Sequence, residues 1–367
     1  MVGLFGEKDN KLTQEKVLEA LRSVQEPELH RDIVTLNMVK NLAVDDGRVW
    51  MTINLTTPAC PLKDVMEKDV RAALGRLEGF KEVSINWAAT VPQGRGIQGR
   101  ASVPGVKNII AVASGKGGVG KTTVAVNLAV ALSLLGSRVG LLDADVYGPN
   151  VPTMLGISDL PVGRGDRIIP LEGYGLKVMS MGFLNPSDKP LIWRGPMLHQ
   201  VLQQFLRQVD WGELDYLVID LPPGTGDVQL SLIQTVPVTG AVIITTPSVV
   251  ALADVHKAIE MFQQVKVDVL GVVENMSYFL CPHCGQRTEI FSYGEGKHTA
   301  EKFKVPFLGE VPLDPSVRLH GDTGKPVVTL GEEAPEAKPL FELARQVAAA
   351  ASVSALRESA TPLVQIQ

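Results

Sequence analysis

The chain has 367 residues, 45% of them hydrophobic and 20% charged, with a formal net charge of −5. That length suggests roughly two domains with ample apolar material for packed cores. The negative charge argues against broad nucleic-acid binding, no apolar run is long enough to span a bilayer, and three cysteines cannot pair evenly into a disulfide framework.

Met1 to Lys11 is mixed and charged, without the apolar core of a secretory signal. With the cysteine count, this predicts a cytoplasmic protein. Thr13 to Val24 reads as a short helix with Thr13 as its N-cap. Met38 to Val44 and Arg48 to Leu55 alternate as strands around Asp45-Asp46-Gly47, a strong hairpin signal. A helix from Leu62 to Leu77 and a strand from Lys81 to Trp87 complete a small α+β domain over residues 1–91. Residues 92–105, rich in Gly and Pro, read as a flexible linker.

Beyond the linker, strands alternate with helices, the pattern of a mainly parallel sheet covered on both faces. The fold class is therefore α/β, with a small α+β domain in front. The strand candidates are Val106 to Ala113, Arg138 to Asp143, Leu176 to Met181, Tyr216 to Asp220, Ala241 to Thr246, Val267 to Val273 and Pro306 to Val311. Val124 to Leu135 reads as the first helix of this domain and Phe341 to Ala351 as the last. The domain is taken to span 106–352, with residues 353–367 a loose tail.

Between the first strand and helix lies Gly115-Lys116-Gly117-Gly118-Val119-Gly120-Lys121-Thr122-Thr123. It fits the phosphate-binding pattern G-x-x-x-x-G-K-[ST] from Gly115 to Thr122. Glycines let successive backbone N–H groups approach phosphate oxygens. Lys121 would reach the β- and γ-phosphates, and the Thr122 hydroxyl would ligate Mg²⁺. The helix N-terminus adds free N–H groups and a positive dipole end. Lys116 is surplus to that pattern, and a neighbouring subunit is its natural target.

Asp143 and Asp145, in Leu142-Asp143-Ala144-Asp145-Val146-Tyr147-Gly148-Pro149, sit at a strand's C-terminal end, the edge where open α/β sheets bind ligands. Asp220 ends a second such strand before Leu221-Pro222-Pro223-Gly224-Thr225-Gly226-Asp227. It suits an acidic Mg²⁺ position, and Gly224 is expected to offer its N–H to a γ-phosphate. For any single Asp, a helix cap or turn is the plain alternative.

These three segments resemble the Mrp (ApbC) family of P-loop ATPases with a deviant Walker A loop, relatives of MinD, ParA and the nitrogenase iron protein. The resemblance covers essentially the whole chain, because Glu26-Pro27-Glu28 and Thr57-Pro58-Ala59-Cys60-Pro61 look like the signature of a MIP18-like N-terminal domain. It implies an Mg²⁺-dependent ATPase that forms a homodimer. Lys116 would cross the interface to the partner's nucleotide phosphates, Asp145 would orient the attacking water, and Asp143 would lie near the metal, directly or one shell out. The resemblance also places Asn275, Pro312 and Asp314 near the adenine base.

Cys281-Pro282-His283-Cys284-Gly285 is half a metal site, because one C-x-x-C supplies only two thiolates. A two-fold axis beside it would bring four together, enough for a [4Fe–4S] cluster or one Zn²⁺. The family resemblance implies the cluster, passed on to apo-protein recipients. Zinc completed by His283 or His298 within one chain is the rival, and plain structural thiols are the simplest alternative. A thioredoxin-like role fits poorly, because the pair does not open a helix after the first strand. Cys60 precedes a predicted helix whose N-terminus would lower its pKa; a buried inert thiol is the alternative. Trp193-Arg194-Gly195-Pro196-Met197 is family-typical, with Arg194 either touching a partner or lying in a surface turn.

Two further readings stand beside the cluster carrier. A MinD/ParA-type positioning ATPase would need a basic amphipathic C-terminal helix for a membrane, yet Ala348 to Gln367 holds a single basic residue, Arg357. A zinc-stabilised, nucleotide-dependent scaffold would use the same cysteines. No nucleic-acid or membrane partner is expected.

Overall fold

Thr13 opens the first helix by accepting the Lys16 N–H on its hydroxyl, which satisfies one of the donors a helix start leaves free. The computed structural model describes residues 11–94, 102–146, 148–184, 195–226, 229–230, 233–234 and 236–359. Tyr147, Arg194 and Asp227 therefore lie outside the described residues. The chain forms two compact units, Met1–Val91 and Pro92–Gln367.

In the first unit, helix α1 (Gln14–Leu21) precedes strands β1 (Val39–Asp45) and β2 (Arg48–Leu55). The strands pair antiparallel through Asp46 and Gly47, both at positive φ, as a tight hairpin turn requires. Helix α2 (Lys63–Leu74) then crosses to β3 (Glu82–Ala89), which runs parallel to β2. Val49, Met51, Ile53 and Leu55 alternate onto one face of β2 and meet Val17, Leu21, Met66 and Val70 in a continuous core.

The second unit begins with β4 (Val106–Ser114), α3 (Lys121–Leu134), β5 (Val139–Asp143), α4 (Val151–Leu155), β6 (Leu171–Gly173) and β7 (Leu176–Ser180). It continues with α5 (Gly195–Gln208), β8 (Leu214–Asp220), β9 (Gly240–Thr245), α6 (Val249–Gln264) and β10 (Val269–Asn275). The short pair β11 (Phe279–Leu280) and β12 (Arg287–Thr288) follows, then α7 (Glu295–Phe303), β13 (Phe307–Val311), α8 (Pro315–Asp322) and α9 (Lys338–Ser359). Eight strands form one sheet in the order β6-β7-β5-β8-β4-β9-β10-β13. All neighbours are parallel except the edge pair β6/β7.

Helix α3 is apolar all round, and it is buried on every side from Val124 to Leu132, as such a helix must be. Helix α9 packs along it. The tail expected over 353–367 is thus corrected: α9 runs to Ser359, with Ser354 and Ala355 buried. Ser354 Oγ donates to Asp268 Oδ2 at 2.8 Å, so tertiary partners absorb a polarity that reads locally as the end of a helix.

Near the start of the interior strand β8, Asp215, with its side chain 10% exposed, accepts from Lys107 Nζ at 2.8 Å and from the Arg138 backbone and guanidinium at 3.0–3.3 Å. Burial alone would raise this carboxyl, but Arg138 and Lys107 outweigh it and hold it at about 2. A folded-state pKa below the unfolded one adds stability above the unfolded pKa, lost as pH falls through the folded one. Asp215→Asn is expected to cost about 2 kcal/mol at pH 7. In urea unfolding the gap to wild type should narrow below about pH 4; a gap independent of pH would contradict this account.

Candidate functional site

Strand β4 delivers the chain to the phosphate loop at Ser114, whose hydroxyl donates to the Lys116 carbonyl at 2.9 Å and sets the first turn. The loop closes at Gly120, which caps α3 in the left-handed region at φ 77°. A Cβ there would also strike the Asn275 amide, so glycine is required by conformation and by space. A Cβ on Gly115 would strike the Asp254 backbone. Helix α3 starts at Lys121, three residues before the predicted Val124, which puts the lysine and both threonines in its first turn.

The loop borders a cavity of about 470 Å³, within the range of small-molecule sites. Lys116, Gly117, Gly118, Gly120, Lys121, Thr122 and Thr123 line one side. Gly115 and Val119 do not; Val119 is buried and its carbonyl accepts the Asn275 amide at 2.8 Å. Lys116 is half-buried.

Two aspartates stand side by side beneath the loop, Asp143 opposite Asp220 in the β5/β8 register. Asp220 is fully buried. Its Oδ1 lies 2.6 Å from Lys121 Nζ and its Oδ2 accepts the Thr122 hydroxyl at 2.7 Å. Asp145 lies 3.9 Å from the same ammonium and lines the cavity. Burial pushes both Asp143 and Asp220 upward. Asp143, with the Asp220 charge adding to burial, reaches about 8, whereas Lys121 and Thr122 oppose the rise at Asp220. Asp143 accepts from the Asp145 N–H (3.1 Å), the Val151 N–H (3.3 Å) and the Ser180 hydroxyl (2.9 Å). It frames the turn that presents Asp145 and does not itself line the cavity.

Gly224 departs from expectation. Its N–H donates to the Ser114 carbonyl at 3.0 Å, because the chain leaving β8 keeps pairing alongside the end of β4. That N–H is not turned to the cavity; the adjacent Pro223 lines it instead. Asn275, Pro312 and Asp314 also line the cavity, Asn275 directly against the loop. Asp314 also caps α8, accepting the Ser316 N–H at 2.7 Å.

Cys281 and Cys284 sit in the turn between β11 and β12, closed by Cys281 N–H to Gln286 O (3.0 Å) and Gly285 N–H to Cys281 O (2.8 Å). The backbone N–H groups of His283 and Cys284, and then the Cys284 thiol, bond to the Cys281 sulfur and lower its pKa, which favours the metal-binding thiolate. Cys284 is exposed, as are the neighbouring Leu280, Ile290, Phe291 and Tyr293. Arg287 lies over the Tyr278 and Tyr293 rings and pairs with Glu310 at 3.3 Å, bracing the turn. Among the described residues no three His, Cys, Asp or Glu side chains are placed to hold a metal. Neither His283 nor His298 therefore completes a site around the pair within one chain.

Of the two readings of Cys60, the structure supports the inert thiol. Burial pushes this thiol up, with the Leu62 N–H opposing and the Glu28 and Glu26 charges adding to the rise. Sequence reading also missed Glu274, fully buried beside Asn275. A carboxylate at the end of the apolar run Val269-Leu270-Gly271-Val272-Val273 was the available signal.

Among the described residues no helix is long and apolar enough to cross a membrane. Residues 105–348 match the family model for the NUBPL iron-transfer P-loop NTPase, and residues 14–87 match that for an iron–sulfur cluster assembly protein. The chain is 50% identical over 351 residues to the iron–sulfur cluster carrier protein of Synechocystis sp., covering 94% of this chain and 99% of that one. It is 41% identical to a solved nucleotide-binding protein in complex with ADP from Archaeoglobus fulgidus, at a TM-score of 0.57 over 65% of this chain and 93% of that one. The cell division ATPase MinD of Pyrococcus furiosus shares 25% identity at a TM-score of 0.50, over 65% of this chain and 98% of that one.

Proposed function

The chain belongs to the NUBPL iron-transfer P-loop NTPase family, and on that premise we propose that it is an ATP-hydrolysing, homodimeric carrier of a [4Fe–4S] cluster. Cys281 and Cys284 from two copies would hold the cluster and release it to apo-protein recipients in the cytoplasm. The observation that carries this reading is a turn that presents Cys281 and Cys284 together, with the Cys281 thiol lowered by the N–H groups around it, in a chain whose described residues offer no third ligand. Four-thiolate ligation then requires a second copy. The exposed apolar side chains around the turn suit burial against that copy.

The nucleotide site supports the other half of the proposal. Thr122 and Asp220, already bonded to each other, would hold Mg²⁺, which supplies positive charge at the β- and γ-phosphates. Lys121 would leave Asp220 for the phosphates, the loop N–H groups would bind their oxygens, and Asp145 would orient the water that attacks the γ-phosphorus as the bond to ADP breaks. Asn275, Pro312 and Asp314 would border the base.

Anaerobic reconstitution with iron and sulfide tests the carrier assignment. Wild type is expected to load one cluster per two chains, and Cys281→Ala and Cys284→Ala to fall to background in iron content and visible absorbance. Equal loading by the variants would place the carrier site elsewhere, and zinc retained through anaerobic purification would favour the scaffold reading.

A further inference from the structure

Strand β10 ends in two adjacent residues whose side chains leave on opposite faces of the sheet. Asn275 turns to the phosphate loop, donating to the Val119 carbonyl beside Gly120. Glu274, 0% exposed, turns the other way and gathers three donors. Its Oε1 accepts the Ser277 hydroxyl at 2.7 Å and the Gly294 N–H at 3.2 Å; its Oε2 accepts the Gly296 N–H at 2.6 Å. Ser277 precedes the cysteine turn, and Gly294 and Gly296 follow it. One carboxylate thus clamps both feet of the segment that carries Cys281 and Cys284.

Two further links join that segment to the base side of the cavity. The Leu313 N–H donates to the Tyr278 carbonyl at 2.7 Å, and Leu313 lines the cavity. Arg287, in the strand after the cysteines, pairs with Glu310 in β13. An otherwise apolar strand gains nothing in its core from a buried carboxylate, which is costly to desolvate unless its donors compensate it.

The geometry points to Glu274 as a positioning residue that transmits the state of the phosphate loop to the cysteine pair, an inference that rests on the carrier reading above. A loop that shifts to wrap a nucleotide displaces Asn275, and with it the end of β10. Glu274 is the next residue on that strand, so its three bonds carry the displacement to both feet of the cysteine segment together. The coupling has a physical path, and its size is a ratio of rates or affinities measured with and without nucleotide.

The test uses the full, cluster-free chain. Alkylation of Cys281 and Cys284 by iodoacetamide is followed by peptide mass spectrometry, with and without AMPPNP and Mg²⁺, and Cys60 serves as an internal reference. Wild type is expected to show at least about a fivefold change in rate on nucleotide addition. Glu274→Gln replaces one acceptor oxygen with a donor; Ser277→Ala removes one bond and leaves the buried carboxylate in place. Both should bring the ratio to within about twofold of one, with nucleotide affinity unchanged. A purely structural role would move both rates together and leave the ratio at its wild-type value.

If Glu274→Gln fails to fold, Ser277→Ala decides the question alone. Variants that keep the wild-type ratio overturn the role of Glu274 while leaving the carrier assignment intact. A wild-type ratio of one under saturating nucleotide also overturns it. Failure of the carrier assignment is read separately, from cluster loading by the cysteine variants.

Discussion

Lys121→Ala is expected to abolish nucleotide binding and to destabilise the second unit by about 3–5 kcal/mol, the usual consequence of stripping one partner from a buried ion pair. Lys121 is 6% and Asp220 0% exposed at their side chains, 2.6 Å apart. Without the ammonium, Asp220 keeps only the Thr122 hydroxyl and faces Asp143 across the β5/β8 register. The fold would respond by protonating Asp220 or by loosening around it. Chemical denaturation of the variant checks the stability term, and calorimetric titration with ATP checks binding. The double replacement Lys121→Met with Asp220→Leu separates the two effects. It should recover most of the stability, because apolar side chains need no compensating charge, while binding stays lost. A single variant as stable as wild type would show that the pair is not coupled as its geometry requires.

Lys116→Ala is expected to lower ATP turnover by about a thousandfold with little change in nucleotide affinity, the signature of a cation delivered to the transferring phosphoryl group. Lys116 borders the cavity without being buried in it, unlike Lys121. A lysine acting across a dimer has a test that one acting within its own chain fails. Lys116→Ala and Asp145→Asn should each be inactive alone. Mixed in equal amounts, they form heterodimers in which one site has both an intact Asp145 and a donated Lys116. Random exchange would then restore about a quarter of wild-type turnover, from half the dimers with one working site of two. No recovery on mixing would place Lys116 in its own chain's chemistry and remove the main argument for a nucleotide-clamped dimer.

The phosphate loop was legible because its chemistry and its backbone geometry are one pattern: glycine where φ is positive, lysine and threonine at the start of a helix. The acidic strand ends were legible for a similar reason, since a parallel sheet aligns its C-terminal edges. What stayed hidden depends on contacts remote in sequence. Nothing near Gly224 announces that its N–H pairs with Ser114. Cys60 precedes a helix, yet burial outweighs the nearby N–H, and burial is not a local property. Helix α9 outruns its predicted end because Ser354 finds acceptors at Thr239 and Asp268. Glu274 was visible as an oddity in an apolar run, but its three donors lie up to 22 residues away.

The packing of α9 along α3 bears on how the protein is made. The helix that opens at the phosphate loop is emitted early by the ribosome, but the helix that covers it comes more than two hundred residues later. A second tie spans the same gap, from Asn127 to the Val328 N–H. Until residues 338–359 emerge, the apolar flank of α3 has no lid, and a nascent chain in that condition is a natural client for chaperones. The core beneath the phosphate loop is therefore expected to close only after Lys338 to Ser359 have emerged, and a ribosome stalled before Lys338 would hold a phosphate loop with no finished core beneath it.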